Sequence, residues 1–248
     1  MTGRKRADVA LVERGFFESR ARAQEAIAAG LVTVDGQPIR KASEGIPGTA
    51  VLSAEAPHPW VSRGGVKLAA ALDRFGYDPA GRQCLDIGSS TGGFTHVLLT
   101  RGAAGVVAVD VGRDQLHPSL RGHPRLDSRE ATDARSLAPA DLPGPPDLLT
   151  FDVSFIPLRL VLESVLPLAA PDAAAVALVK PQFEAGREHV KKGIVREEAA
   201  RLAACESVAA VFTGLGWSVE GVVPSPIAGG DGNVEYLLGA RGPGVRRG

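Results

Sequence analysis

From residue 83 almost to the end of the chain, short apolar runs alternate with longer segments whose apolar residues recur at helical spacing. Residues 83–87, 105–110, 147–151 and 173–179 read as strands, and residues 94–101, 157–166 and 197–215 as helices. Strands separated by helices pair in parallel and are covered on both faces, so the pattern predicts an α/β, doubly wound, Rossmann-like sheet. The end departs from it. Residues 217–223 and 233–238 are strand-like with only a polar, glycine-rich loop between them, too short for a crossover helix, so the last strand is expected to run antiparallel.

The 248 residues suffice for one large domain or for a domain with a small module attached. Cys84 and Cys205 are the only cysteines and form neither a disulfide framework nor a CxxC metal site, which points to the reducing cytoplasm. No apolar stretch approaches the ~20 residues that span a bilayer, and the start "MTGRKRADV" lacks the apolar core of a secretory signal. A pore-forming or secreted protein is therefore not expected, and no membrane partner. The 28 Lys and Arg balance the 28 Asp and Glu, yet unevenly: Arg4, Lys5, Arg6, Arg14, Arg20, Arg22, Arg40 and Lys41 dominate the first segment, and Arg187, Lys191, Lys192 and Arg196 cluster in a later loop. Such clusters are either solvated faces or phosphate footprints.

Residues 7–15 and 19–29 favour helix, with Ser19 as N-cap and Gly30 as C-cap. "LVTVDGQPI" alternates and turns at Asp35-Gly36, a hairpin signal. The stretch "SRARAQEAIAAGLVTVDGQPI" resembles a small RNA-binding module named after a ribosomal small-subunit protein, the S-four-like domain, over residues 6–52. That resemblance implies that a basic helix pair and the following strand contact structured RNA. The alternative is a plain helix-strand unit with a positive face. "SAEAPHPW", with Pro57 and Pro59, reads as the linker, so the expected division is residues 1–59 for module and linker and residues 60–248 for a larger domain. In "VSRGGVKLAAALDRFG", Arg63 is a further candidate RNA contact and Lys67 stands at the start of a helix.

"CLDIGSSTGGF" is a strand, a glycine turn and a helix start, suited to close approach by a ligand. A nicotinamide enzyme would use GxGxxG, which is absent. Gly88 to Gly92 formally satisfies GxSxG, but a serine hydrolase needs a later acid and histidine, and only His189 follows Asp152. The third reading starts from the acid two residues before the first glycine. Asp86-x-Gly88-x-Ser90-x-Gly92 is similar to the first motif of S-adenosylmethionine-dependent methyltransferases, which implies that Asp86 positions the cationic end of that cofactor and that Gly88, Ser90, Gly92, Gly93 and Phe94 surround it. Asp110 closes the next strand, where a carboxylate would grip the ribose of either cofactor. Asp133 in "ATDAR" either holds the adenine amino group or caps a turn. An antiparallel last strand suits the methyltransferase sheet better than the all-parallel dinucleotide fold.

In a doubly wound sheet the functional edge is where the parallel strands finish. Asp152 and Lys180 end two such strands, Glu235 stands near the start of the antiparallel one, and Lys67 joins them if its helix packs beside the sheet. Two carboxylates and two lysines suit removal of a proton from a sugar hydroxyl: a lysine stabilises developing alkoxide charge or acts as base, while the carboxylates orient and balance it. The alternative is a buried ion-pair network without chemistry. "SRGGVKL", "DIGSSTGGF", "FDVSFIPL", "LVKPQFEAG" and "GNVEYLL" together resemble the TlyA family of ribosomal RNA 2′-O-methyltransferases, and the Lys-Asp-Lys-Glu tetrad of the related FtsJ-like enzymes falls on Lys67, Asp152, Lys180 and Glu235. The resemblance implies methyl transfer from S-adenosylmethionine to the 2′-hydroxyl of a cytidine in ribosomal RNA, with Lys180 central. Family members that modify both ribosomal subunits tend to carry a longer segment than the "ARGPGVRRG" that follows the last strand here, so the resemblance implies the large subunit as the expected target, with the small subunit as the alternative. Two rivals remain: a non-catalytic RNA-binding assembly factor, and a methyltransferase of the same fold acting on a small metabolite.

Overall fold

The computed structural model describes residues 3–229 and 232–244. The chain forms two compact units, Met1–Pro59 and Trp60–Gly248.

In the first unit, β1 (Lys5–Arg6) leads into α1 (Ala7–Glu13), followed by α2 (Arg20–Ala28), β2 (Val32–Val34), β3 (Gln37–Pro38), β4 (Gly45–Ile46) and β5 (Leu52–Ala54). Ser19 caps α2 by accepting the Arg22 N–H, and Gly30 follows the helix in the left-handed region (φ 74°). β2 and β3 form the expected hairpin on Asp35-Gly36, both with positive φ. The linker begins after Ala54 and not at Ser53 as expected: residues 52–54 form β5, which pairs antiparallel with β2. Ala10, Leu11, Ala26, Ile27 and Val32 make this unit's own core.

The second unit contains α3 (Gly64–Phe75), β6 (Gln83–Ile87), α4 (Gly93–Thr100), β7 (Gly105–Val109), β8 (Leu126–Arg129), β9 (Leu148–Phe151), α5 (Leu158–Val165), β10 (Ala174–Val179), α6 (Pro181–Glu184), β11 (Val190–Lys191), β12 (Ile194–Val195), α7 (Glu198–Gly214), β13 (Ser218–Pro224) and β14 (Tyr236–Arg241). Seven strands form one sheet in the order β13-β14-β10-β9-β6-β7-β8. From β10 to β8 the neighbours are parallel, whereas β14 is antiparallel to both β10 and β13. Successive strand side chains point to opposite faces. Leu85, Ile87, Val107 and Phe151 therefore pack with Leu162, Val208 and Phe212 of α5 and α7, and Cys84, Val106, Val176 and Leu237 pack with Leu68, Leu72 and Leu98 of α3 and α4.

Three differences from the sequence reading have plain causes. β8, sequence Leu-Asp-Ser-Arg, is a partly exposed edge strand and carries no apolar run to announce it. β14 begins at Tyr236, three residues later than expected, because Asn233 and Glu235 turn their side chains into polar contacts before the ladder starts. The basic loop is not irregular throughout: β11 and β12 form a hairpin on Lys192-Gly193, both with positive φ.

Candidate active site

The parallel register that pairs Ile87 with Phe151 brings Gly88 beside Asp152 at the carboxyl end of the sheet. Gly88 has φ 81°, and a Cβ there would lie 2.6 Å from the carbonyl oxygen of Asp152. No residue with a side chain allows the two strand ends this approach. Past Gly88 the backbone turns at Ser90, itself at φ 46°. The Ser90 N–H donates to Oδ2 of Asp110 (2.8 Å) and the Gly112 N–H to Oδ1 (2.7 Å), so one carboxylate ties the glycine turn to the end of β7. The Ser90 hydroxyl donates to Gln115 (2.9 Å), a partner that leaves no histidine-activated nucleophile and closes the hydrolase reading.

A cavity of about 480 Å³ opens here, in the size range of small-molecule sites. Gly88, Ser90, Asp110, Asp133 and Asp152 line it, with apolar wall from Ile87, Val109, Val111 and Ile156. Asp133 lines the cavity and also caps the short turn Ala134–Ser136 by accepting the Arg135 N–H (2.9 Å), as its turn-capping reading expects. Its hydrogen bonds and ion pair with Arg135 (2.6 Å) hold its carboxyl below the usual range.

Four expected ligand contacts are placed elsewhere. Asp86 is wholly buried beneath the turn, where its carboxylate accepts the hydroxyls of Thr95 (2.6 Å) and Thr150 (2.8 Å). Burial pushes its pKa up to about 6, and the threonine hydrogen bonds oppose that rise. It joins β6, α4 and β9 and does not line the cavity. Gly92 abuts Leu120 and Leu116, and Phe94 is core. A Cβ on Gly93 would fall 2.2 Å from the Ser62 hydroxyl and 3.1 Å from the Gly65 nitrogen, so this glycine serves the packing of α4 on the start of α3.

The same packing places the tetrad. Leu68 and Leu72 bury α3 against β10 and β14, each contributing roughly 1.5–3 kcal/mol, and Lys67 is pinned beside them. Lys67 forms an ion pair with Glu235, both side chains buried. Lys180 lies 2.6 Å from Oδ1 of Asp152 and donates to the Ser154 hydroxyl (2.8 Å). The ladder that pairs Val179 with Tyr236 continues one step to set Lys180 opposite Glu235. Gly64, first residue of α3, approaches Oδ2 of Asp152, its Cβ position 3.7 Å away. Leaving one charge of such a set buried and unpaired costs several kcal/mol, and the four balance to zero. Asn233, two residues before Glu235, donates to the Gly193 carbonyl (3.0 Å), fastening the basic β11–β12 hairpin to this edge.

Three participants carry no sequence signal. Phe155 lines the cavity with its side chain 90% exposed, its backbone in the left-handed region (φ 66°) and its ring 5.2 Å from that of Phe183. Ser154 positions Lys180. Glu130 accepts the N–H groups of Asp114, Gln115 and Leu116 and so shapes the loop that follows Asp110. For Ser154 and Phe155 the only available cue was their position just after the strand-ending Asp152; for Glu130 there was none.

The expected RNA contacts divide. Arg4, Arg40, Lys41, Arg63, Arg187, Lys191, Lys192 and Arg196 are exposed. Lys5 is paired with Glu13 (2.6 Å), and Arg6 and Arg20 converge on Asp8. Two further arginines of the expected set serve as internal braces through their terminal nitrogens. Arg14 donates to the carbonyls of Pro47, Gly48 and Ala50, and Arg22 to His58, with Glu25 3.6 Å away.

Residues 60–242 match the FtsJ-like methyltransferase family and residues 5–51 match the S4 domain. The chain is 47% identical over 244 residues to a Mycobacterium tuberculosis protein named 16S/23S rRNA (cytidine-2′-O)-methyltransferase TlyA, covering 97% of this chain and 91% of the relative. It is 39% identical over 180 residues to the 23S rRNA (cytidine-2′-O)-methyltransferase TlyA of Campylobacter jejuni, covering 72% and 69%. Among solved structures, a hemolysin-named protein from Streptococcus thermophilus superposes with a TM-score of 0.77 at 41% identity, over 98% of this chain and 90% of that one. The chain belongs to the FtsJ-like methyltransferase family and carries an S4 domain at its amino-terminal end.

Proposed function

We propose that this protein transfers a methyl group from S-adenosylmethionine to the 2′-hydroxyl of a cytidine in ribosomal RNA. The observation that carries the reading is Lys180, a buried ammonium held by Asp152 and Ser154, two residues that also line the cavity.

The cavity fits the cofactor. Asp110, Asp133 and Asp152 offer three carboxylates to a ligand with a cationic end, and Val111, Val109 and Ile156 offer an apolar slot for its adenine. Each oxygen of Asp110 accepts one backbone N–H and keeps a lone pair for a ribose hydroxyl. S-adenosylmethionine supplies an electrophilic methyl group on a sulfonium.

What remains for the chain is to orient the hydroxyl and to receive its proton as the O–H bond breaks, and the Asp152 carboxylate, on the cavity wall beside Lys180, is the acceptor. An ammonium has three N–H groups. Ser154 takes one from Lys180, the Asp152 carboxylate stands 2.6 Å away as its counter-ion, and a remaining N–H donates to the 2′-oxygen as charge develops on it. Lys180 is itself buried, and a preorganised donor in such a setting is worth more than one in water. Lys67 and Glu235, paired with one another, keep the edge neutral, and Lys180 is the cation aimed at the reacting oxygen.

The S4 domain and the exposed basic residues of both units supply the RNA-binding surface in this reading. Among the described residues no helix is long and apolar enough to cross a membrane, and the substrate places the protein in the cytoplasm. The large subunit is the preferred target, since 23S rRNA occurs in the names of both TlyA relatives. The test is calorimetric titration with S-adenosylmethionine followed by labelled methyl transfer to each purified subunit. Transfer to large-subunit RNA, mapped to a cytidine ribose, is the expected result. RNA binding without cofactor binding would instead identify an assembly factor.

A further inference from the structure

We propose that Asp8 is the positioning residue of a phosphate clamp: it holds the guanidinium groups of Arg6 and Arg20 together so that both grip one phosphodiester of the RNA. The proposal rests on the ribosomal RNA reading above and adds to it a site and a division of labour. Asp8 is 0% exposed. Arg6 addresses it with a two-pronged contact, Nε to Oδ1 and Nη2 to Oδ2, both 3.0 Å. Arg20 reaches Oδ2 through Nε (3.3 Å) and Nη2 (3.1 Å), Gln24 adds a bond to Oδ2 (2.7 Å) and the Val9 N–H one to Oδ1 (3.0 Å). The Arg6 hydrogen bonds, with those of Gln24 and Arg20, hold the carboxyl well below its usual range, so it is ionised throughout neutral pH.

One carboxylate balances one guanidinium. The second is surplus positive charge, set against a like charge at a repulsive cost that Asp8 offsets only in part. An anion on the outer side would offset the remainder. The side chains of Arg6 and Arg20 are 47% and 58% exposed, so the N–H groups not spent on Asp8 face solvent. A guanidinium presents paired N–H donors that match two oxygens of a phosphate, which Lys cannot reproduce. Arg14 and Arg22 of the same unit are committed to internal partners, so this pair is set apart from its basic neighbours by geometry.

Asp8→Asn separates the clamp from simple charge attraction. The substitution removes a negative charge, so attraction by net charge would leave RNA affinity unchanged or raise it. The clamp requires the opposite: affinity of the full-length protein for the purified large subunit falls roughly 10-fold or more, and the log–log salt slope becomes shallower by about 0.7–0.9, one phosphate. Arg20→Lys keeps the charge and a partner for Asp8 but loses the fork, and shows the same loss. Arg6→Lys combined with Arg20→Lys loses little more than either alone, because both serve one phosphate. Folding is checked by circular dichroism; if Asp8→Asn is unfolded, Arg20→Lys decides. Binding of folded Asp8→Asn, or of Arg20→Lys, within twofold of the wild type while the wild type methylates rRNA overturns the clamp alone. A wild type that neither binds nor methylates rRNA overturns the functional reading, and the clamp with it.

Discussion

Two groups of buried charge in this protein are built on opposite accounts. At the sheet edge, two lysines meet two carboxylates, all of them buried or nearly so, and the sum is zero. In the amino-terminal unit, two half-exposed arginines meet one buried carboxylate, and the sum is +1. A balanced set can close over a single reacting oxygen without attracting competing anions. An unbalanced one, left open to solvent, attracts a phosphate. On the proposed readings, chemistry and recognition both set cations against carboxylates, with cation type, burial and stoichiometry deciding between them.

The largest expected effect tests the balanced set. Lys180→Ala should lower the rate of transfer about 10²–10³-fold or more, the cost of one preorganised donor at a developing oxyanion, while S-adenosylmethionine affinity stays near that of the wild type. Near-normal turnover by this variant would show that the neutral edge is structural only. Next comes Asp110, the carboxylate proposed to hold the ribose. Asp110→Ala should weaken cofactor affinity by about 1.5–3 kcal/mol, as for a hydrogen bond to a charged group, and calorimetry that found no change would place the ribose elsewhere.

Asp86 offers a third kind of buried carboxylate, partnered by two threonines and by no cation, and it sharpens the contrast. Its folded-state pKa of about 6 lies above the ordinary 3.8 of an aspartate. The folded state therefore binds the proton more tightly, and the stability this gives is complete below about pH 3.8 and lost as pH rises through 6. That difference corresponds to about 3 kcal/mol. Asp86→Asn removes that penalty but gives up about 1 kcal/mol of hydrogen bonding to one threonine. The variant should be about 1–2 kcal/mol more stable than the wild type at pH 8, with the advantage gone by pH 4.5, in urea denaturation at both pH values. An advantage that did not depend on pH would mean that Asp86 is already protonated, or that it is solvated in a way its burial denies.

These three carboxylates also measure what could be read from sequence. The strand at residues 83–87 matched to the residue because an apolar run flanked by a polar start and a glycine has few alternatives. Lys180, Asp152 and Glu235 were legible because strand direction alone decides which edge they reach. Lys67 was conditional on helix packing that only Leu68 and Leu72 settle, and its partner lies 168 residues away. Asp86 was misread because a motif states where a carboxylate stands along the chain and not which way it turns; Thr95 and Thr150, one from a helix and one from a neighbouring strand, decided that. Phe155 left no trace in any periodicity, since its exposure follows from a left-handed backbone position. Among the arginines, composition gave the surplus but not its distribution: Arg14 and Arg6 look alike in sequence, and only the fold spends one on carbonyls and aims the other outward.

The smallest expected effect concerns two acids of the amino-terminal unit, and its sign carries the information. Glu13 is paired with Lys5 at the surface, both side chains about half exposed. Such a pair contributes about 0–1 kcal/mol to stability, and Glu13→Ala should leave the unfolding midpoint nearly unchanged. Its effect on RNA should be a gain of less than about 1 kcal/mol in affinity, because Lys5 is released toward phosphate and the unit becomes more positive. Asp8→Asn makes the same change in net charge, at a position 0% exposed and surrounded by guanidinium donors, and is expected to act in the opposite direction. Side-by-side salt titrations of the two variants with the same ribosomal subunit should therefore diverge, Glu13→Ala slightly tighter and Asp8→Asn distinctly weaker. If both variants bound more tightly by similar factors, net charge would be the whole of recognition in this unit, and the geometry that Asp8 imposes on its arginines would have no consequence for RNA.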